Sequence, residues 1–322
     1  MPESSPWDEI AVPSGDFNVR QVSANTAIPC FWGRDRGGAC LFIVELQGNH
    51  TDQYRKNAVT VNGIEVDLRG GNHDEERLVL TLEKQIDRDL FEGLCRTLVT
   101  ALEHATDSAS SLAVALAHIR RWKTFLSGRG GPRLSPEEVR GLFAELTFLL
   151  ELIENGTSAA NAVEVWLGPE RSHQDFIFAN TAVEIKALSG TERNAVRISS
   201  EDQLEALNDS LFLRLYRLSN LPNANTARSL NKIVSAVENA LDEAEAIVAF
   251  DRKLAAQGYA PLPDYDEPTF VVSEVRTYLV EPAFPRLIRS QLPAGIVKAA
   301  YDLELEAIAP FQCNNASVFG GI

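Results

Sequence analysis

Between Ser135 and Lys186 the apolar positions change period. Val139, Leu142, Phe143, Leu146, Leu149, Leu150 and Ile153 recur every three or four residues, the spacing of one face of an α-helix. Ser135, Pro136 and Glu138 supply a cap, a first-turn proline and a capping-box acid, and Asn155-Gly156 supplies the stop. From Asp175 to Lys186 the helical period is lost. Two short apolar runs flank Ala179-Asn180, which predicts a β-hairpin with a two-residue turn. In that register Phe178 faces Thr181, and Asp175 faces Glu184 on the same side of the sheet. Side chains alternate along a strand, so Glu184 and Lys186 share one face, while Val183, Ile185 and Ala187 share the other.

The remaining pattern divides the chain. Residues 1–20 read as an extended lead-in, and Gln21 to Leu82 is strand-like (Ala39 to Leu46, Ala58 to Leu68, Arg77 to Leu82), with Asn62-Gly63 as its clearest turn. Helices are expected over Asp87–His104 and Ser111–Leu126, followed by a glycine-rich hinge at Gly128 to Arg133. Beyond the Ser135 helix, strands are expected at Glu164 to Leu167, Val196 to Ser199, Leu211 to Leu218, Thr269 to Val280 and Ala299 to Ile308. Arg214 and Tyr216 fall on one face of the third of these. One long helix is expected from Thr226 to about Ala256. The division is an N-terminal β-rich subdomain over 1–110 with a closing helix, then residues 111–322 with a core at about 135–218 and an α/β extension.

Composition narrows the function. The formal charge of −15 argues against strong sequence-independent affinity for nucleic acid. It is unevenly spread, however: residues 118–235 carry 14 basic and 14 acidic side chains, while 1–117 carry 10 and 18. The segment with the hairpin is therefore neutral, and the acidity lies in the flanks. No apolar run reaches the length of about 18 residues that spans a membrane. No basic–apolar signal segment opens the chain, so a cytoplasmic protein is expected. Cys30, Cys40, Cys95 and Cys313 lack metal-ligand spacing. Cys30 and Cys40 could face each other across a hairpin, but buried free thiols suit a reducing compartment better.

The chemistry concentrates on the hairpin. Facing carboxylates repel, and keeping them half-buried costs several kcal/mol unless a cation joins them. Asp175, Glu184 and Lys186 on one sheet face thus describe a divalent-metal site for phosphodiester hydrolysis, or else a solvent-facing salt bridge. Glu145 lies at the border of the buried helix face, within reach of a sheet edge. The chain contains no G-x-S-x-G elbow, no H-E-x-x-H, no clustered Cys/His set and no dinucleotide fingerprint, and the glycine-rich hinge lacks a G-K-[ST] ending. His118, Arg120, Arg121, Trp122 and Lys123 could straddle a phosphate backbone, although an amphipathic connector explains them more simply.

A helical Glu145, then Asp175, then Glu184-Ile185-Lys186 resembles the PD-(D/E)XK nucleases, with Gln174 where the pattern has proline. The wider set is similar to a group of uncharacterised bacterial PD-(D/E)XK proteins encoded beside restriction–modification genes. That set comprises Gly141-Leu142-Phe143-Ala144-Glu145-Leu146, Trp166-Leu167-Gly168-Pro169, His173-Gln174-Asp175-Phe176, Glu184-Ile185-Lys186 and Ser199-Ser200-Glu201-Asp202-Gln203-Leu204. The resemblance implies an α/β (α+β) fold with a restriction-endonuclease-like mixed sheet flanked by helices. It implies Mg²⁺, replaceable by Mn²⁺, held by Asp175, Glu184 and the Ile185 carbonyl, with Glu145 direct or through water. Lys186 would orient the attacking water or offset developing charge. Gln203 would face the site, although Ser200-Glu201-Asp202-Gln203 equally fits a capping box, and His173 would be a turn residue or an outer ligand. The expected activity is Mg²⁺-dependent cleavage of DNA in a restriction or phage-defence system, by a homodimer or with a partner protein. A silent adaptor docking another protein of such a system is the alternative, and a DNA mimic is more remote.

Overall fold

A computed structural model describes residues 5–71, 74–83, 88–103, 105–127, 133–170, 172–189, 194–205, 208–221 and 224–320. The chain divides into two compact units, residues 1–132 with 258–263, and residues 133–257 with 264–322.

In the first unit β1 (Phe17–Gln21), β2 (Cys30–Asp35), β3 (Cys40–Gln47), β4 (Ile64–Gly70) and β5 (Glu75–Leu82) form an antiparallel sheet in the order β1-β2-β3-β5-β4. Helix α1 (Thr51–Asn57) interrupts the strand-like stretch, and Asn62-Gly63 closes a single bridge between Val61 and Ile64 in place of two full strands. Two helices follow, α2 (Arg88–Leu102) and α3 (Ser108–Ser127). The glycine-rich hinge at 128–132 lies outside the described residues, as do Asp87 and His104 of the expected helix over Asp87–His104. The lead-in is not merely extended. Trp7 is fully buried, stacks on Phe91 at 5.3 Å, and donates its indole N–H to the Leu41 carbonyl at 2.8 Å. Trp122 and His118 are buried too, so the aromatic of the basic α3 segment is core rather than a surface for phosphate. All four cysteines are free thiols.

The second unit is built on α4 (Pro136–Glu154). Ser135 accepts from the Glu138 N–H and the Glu138 side chain answers it, completing the capping box. The helix buries Leu142, Phe143, Leu146, Phe148, Leu149 and Leu152, each leucine contributing about 1.5–3 kcal/mol of apolar burial. After α5 (Ala159–Glu164) come β6 (Phe176–Phe178), β7 (Thr181–Ser189), β8 (Ala195–Ile198) and β9 (Ser210–Ser219). Next are α6 (Leu230–Ala240), α7 (Ala244–Ala256), β10 (Val271–Leu279), β11 (Tyr301–Glu304), α8 (Leu305–Ile308) and β12 (Gln312–Cys313). The main sheet runs β12-β10-β9-β7-β6, parallel only between β7 and β9. This is the mixed α+β arrangement that the resemblance implies. Among the described residues no helix is long and apolar enough to cross a membrane.

Three expectations change in this unit, and one expected strand joins a separate sheet. Glu164 to Leu167 is not a strand: Ser158 caps the Asn161 N–H and starts α5, leaving Trp166 one bridge to Phe176. The long helix splits, because Leu241 turns extended and inward between α6 and α7. Strand β8 leaves the main sheet to pair with β11, and the last expected strand ends at Glu304, where α8 begins.

Candidate active site

The hairpin sets the register of the site. Phe178 pairs with Thr181, Ile177 with Ala182 and Phe176 with Val183, so the next step back brings Asp175 opposite Glu184. Ala179 takes a positive φ of 46° to close the turn. Asp175 Oδ2 accepts the Ile185 N–H at 2.7 Å. In an extended strand the N–H and C=O of one residue face the same neighbour, so the Ile185 carbonyl lies on the β7 edge that looks toward Asp175.

Glu145 reaches this group from α4 through Trp166. The buried indole donates to Glu145 Oε2 at 2.7 Å. The backbone carbonyl of Asp175 accepts from both Leu167 and Gly168, which draws the Trp166–Gly168 loop against the hairpin. A methyl carbon added at Gly168 would lie 3.0 Å from Asp175 Oδ1 and 3.0 Å from Glu145 Oε2. Those two oxygens are thus no more than 6.0 Å apart, and the space between them exists because residue 168 has no side chain. Lys253, buried on α7, holds the loop from behind through the carbonyls of Val163 (2.9 Å), Glu164 (3.0 Å) and Trp166 (2.5 Å). Burial lowers its pKa against the pull of Glu170.

On the other side of the cluster, Lys186 Nζ lies 2.8 Å from Glu184 Oε1 and donates to Gln203 Oε1 at 3.2 Å. The same Gln203 oxygen accepts the Ser199 N–H at 2.7 Å. No capping box forms here: Ser200 accepts from Asp202, one residue short, and Gln203 turns toward Lys186. The 3-10 turn at Glu201–Leu204 that carries it is fastened by Gln174. That side chain is buried and donates to the carbonyls of Asp202 at 2.9 Å and Glu205 at 3.0 Å. The residue standing where the pattern has proline therefore ties the strand with Asp175 to the turn with Gln203.

Three carboxylates face one ammonium in this group. Burial, then repulsion from Asp175, pushes Glu184 up to about 8. Burial also raises Asp175, and Glu145 rises well above the carboxylate range through burial and then Asp175. For Lys186 burial works downward, but Glu184 and Asp175 outweigh it and the net shift is upward. Glu184 Oε2 is buried with no hydrogen-bond partner among the described residues. Among those residues no group of three or more His, Cys, Asp or Glu side chains is arranged so that it could hold a metal ion as it stands. The donor set nonetheless suits a hard cation: carboxylates whose repulsion is uncompensated, an orphaned oxygen and a cleared space at Gly168.

The structure brings Glu145, Asp175, Glu184, Ile185, Lys186 and Gln203 together. His173 stands apart, largely exposed and 3.8 Å from Asp202. Trp166, Gly168, Gln174 and Lys253 carry work that residue spacing did not assign. Trp166 and Gly168 lie in a matching motif, and Gln174 is visible as the departure from the nuclease pattern's proline; nothing local marks Lys253. Over residues 4–306 the chain matches the family described as "Putative PD-(D/E)XK family member, (DUF4420)". No curated protein and no solved structure matches it.

Proposed function

The chain belongs to that PD-(D/E)XK family, and from this premise we propose that it is a Mg²⁺-dependent deoxyribonuclease, or the nuclease subunit of a larger assembly, that hydrolyses phosphodiester bonds. The observation that carries the reading is the excess of buried carboxylate over countercharge beside Gly168, with Glu184 Oε2 unpartnered among the described residues. Asp175, Glu184 and the Ile185 carbonyl would hold the cation, with Glu145 direct or through water. When bound, Mg²⁺ (or Mn²⁺ in its place) lowers the pKa of a water and offsets charge on the phosphate. Lys186 stays protonated at neutral pH and is aimed by Glu184 and Gln203, so it presents a fixed positive charge to a phosphate oxygen or orients the attacking water. Gln203 positions that ammonium. Trp166 fixes the Glu145 rotamer by holding one of its oxygens.

Such an enzyme would act on DNA in the cytoplasm, within a restriction or phage-defence system, as a homodimer or beside a partner protein. One observation favours a second reading. The acidity outside residues 118–235 suits a catalytically silent adaptor that docks a protein of such a system.

The test is cleavage of plasmid and linear DNA with Mg²⁺ or Mn²⁺ by wild type, Asp175→Ala and Lys186→Ala. Metal-dependent cutting lost in both variants supports the enzyme and its site. Cutting that survives Lys186→Ala overturns the site. No cutting, with no heat of Mn²⁺ binding by calorimetry, moves the adaptor to first place.

A further inference from the structure

The segment from Pro282 to Ala300 has a composition unlike its surroundings. It carries Arg286, Arg289 and Lys298 and no acidic residue, in a chain of net charge −15. Its base is anchored: Phe284 is buried and packs on Phe311 with ring centroids 5.1 Å apart. Its path is fixed by the 3-10 turn that carries Gln203. Arg286 donates to the Leu204 carbonyl, the Arg289 N–H donates to Glu205 at 3.0 Å, and Arg289 Nη1 lies 3.1 Å from Glu201. Farther along, the Ala299 N–H returns to Glu201 at 2.8 Å. Both ends of the strap are thereby tied to the turn that touches Lys186. Just past the strap, the Tyr301 hydroxyl accepts the Leu287 N–H at 3.2 Å.

Between those anchors the strap turns outward. The Ile296 N–H closes on the Pro293 carbonyl at 3.1 Å, and Gly295 takes the φ of +93° that the third position of a type II turn requires. The turn exposes Ile296 at 48% and Val297 at 78%, next to Lys298. An exposed β-branched pair followed by a lysine, held on a braced loop beside a phosphodiesterase centre, has little to contribute to the core.

We propose that this strap is a DNA-contacting arm, in which Lys298 meets the phosphate backbone flanking the scissile bond while Ile296 and Val297 pack on the sugars or wedge at a base step. Charge selects the occupant: with Arg289 neutralised, the segment still presents Arg286 and Lys298 and no acidic residue, beside a cation-seeking cluster, and so complements a polyanion. Apolar wedges beside basic residues are how proteins grip and bend a duplex groove. Arg289 spends its charge on Glu201 and Asp202 and serves as a brace. The inference rests on the nuclease reading and adds how a chain of this acidity holds its substrate.

The experiment measures binding of a fluorescent 30-base-pair duplex to the full chain by anisotropy, with Ca²⁺ replacing Mg²⁺, across a salt series. The proteins are wild type, Lys298→Glu and the double variant Ile296→Ser/Val297→Ser. All three substituted residues are exposed, so thermal melts should coincide. The expected result is at least about tenfold weaker binding for Lys298→Glu, with a salt slope shallower by about 1, and weaker binding with an unchanged slope for the double variant. Wild-type binding that neither variant alters overturns the arm and leaves the nuclease reading standing. If wild type neither binds nor cuts duplex DNA, the nuclease reading falls and the arm falls with it.

Discussion

The main sheet of the second unit carries a charged cluster on each face, and the two are opposites. On the α4 side Arg214 is buried and fully engaged. It meets Glu151 at 2.6 Å, Tyr216 at 2.8 Å, Thr277 at 2.7 Å and the Asn315 carbonyl at 3.0 Å, beneath the rings of Phe148 and Phe319. Tyr216 donates a second hydrogen bond to the same Glu151 oxygen. One cation, one anion and their donors close on themselves. On the face that bears Glu184, three carboxylates share Lys186, and one oxygen finds no hydrogen-bond partner among the described residues. The same helix serves both groups through Glu145 and Glu151. A buried charge is tolerated when its partners are complete, as around Arg214. Where they are incomplete, the deficit points to something that arrives from outside.

Breaking the complete cluster should cost the most stability. Glu151→Leu leaves the Arg214 guanidinium buried without its anion, and chemical denaturation should show a loss of about 3–5 kcal/mol. Substituting Arg214 and Glu151 together by apolar residues should recover much of it, since the desolvation of both charges is then avoided. The incomplete cluster should respond in the other direction. Above pH 8, where Glu184 is charged, Glu184→Gln removes a repelling carboxylate, so the metal-free protein should melt a few degrees higher there, a gain of about 1 kcal/mol, while Mn²⁺ binding by calorimetry is lost. A variant that melts lower would mean the carboxylates are not in conflict.

Proton uptake sharpens the contrast. With Glu184 at about 8 when folded and near its ordinary value when unfolded, the native state holds the extra proton between those limits. Stability from this group is therefore present below pH 4.5 and declines as pH rises toward 8. Melting temperature measured without metal should fall across that window, and the fall should be shallower in Mn²⁺ or in Glu184→Gln. The smallest effect is at the turn. Ala179 sits at φ +46°, and Ala179→Gly should stabilise by about 0.5 kcal/mol, readable as a small rise in denaturation midpoint.

Much of this was legible where the determinants are local. The capping residues around Ser135 mark the start of α4, and two residues between apolar runs set the Phe178–Thr181 register that carries Asp175 to Glu184. Alternation alone puts Arg214 beside Tyr216. The parts that resist such reading depend on distant partners. Trp7 belongs to the core because Leu41 and Phe91 await it, which its proline-rich neighbours do not show. Lys253 lies some 90 positions from the carbonyls it gathers, and the Glu151 partner of Arg214 lies 63 positions away. Gln203 fits a capping box by sequence, and the nearby ammonium of Lys186 wins its oxygen. The split of the long helix at Leu241 was hidden for the same reason, since helical propensity carries no record of what waits to be packed against.

Gly168 has a consequence for how tolerance to change should be distributed along the chain. Most positions near a functional centre matter for the side chain they carry, so losing that side chain is the damage. Here the damage would be the gain of one. A single methyl would stand 3.0 Å from an oxygen of both Asp175 and Glu145, so the two carboxylates would give by a few tenths of an ångström, and it would act there as a permanently tethered blocking group. Substitution scans scored once for cellular abundance and once for DNA cutting should therefore diverge sharply at residue 168. Gly168→Ala would then be a way to hold the protein folded, soluble and shut.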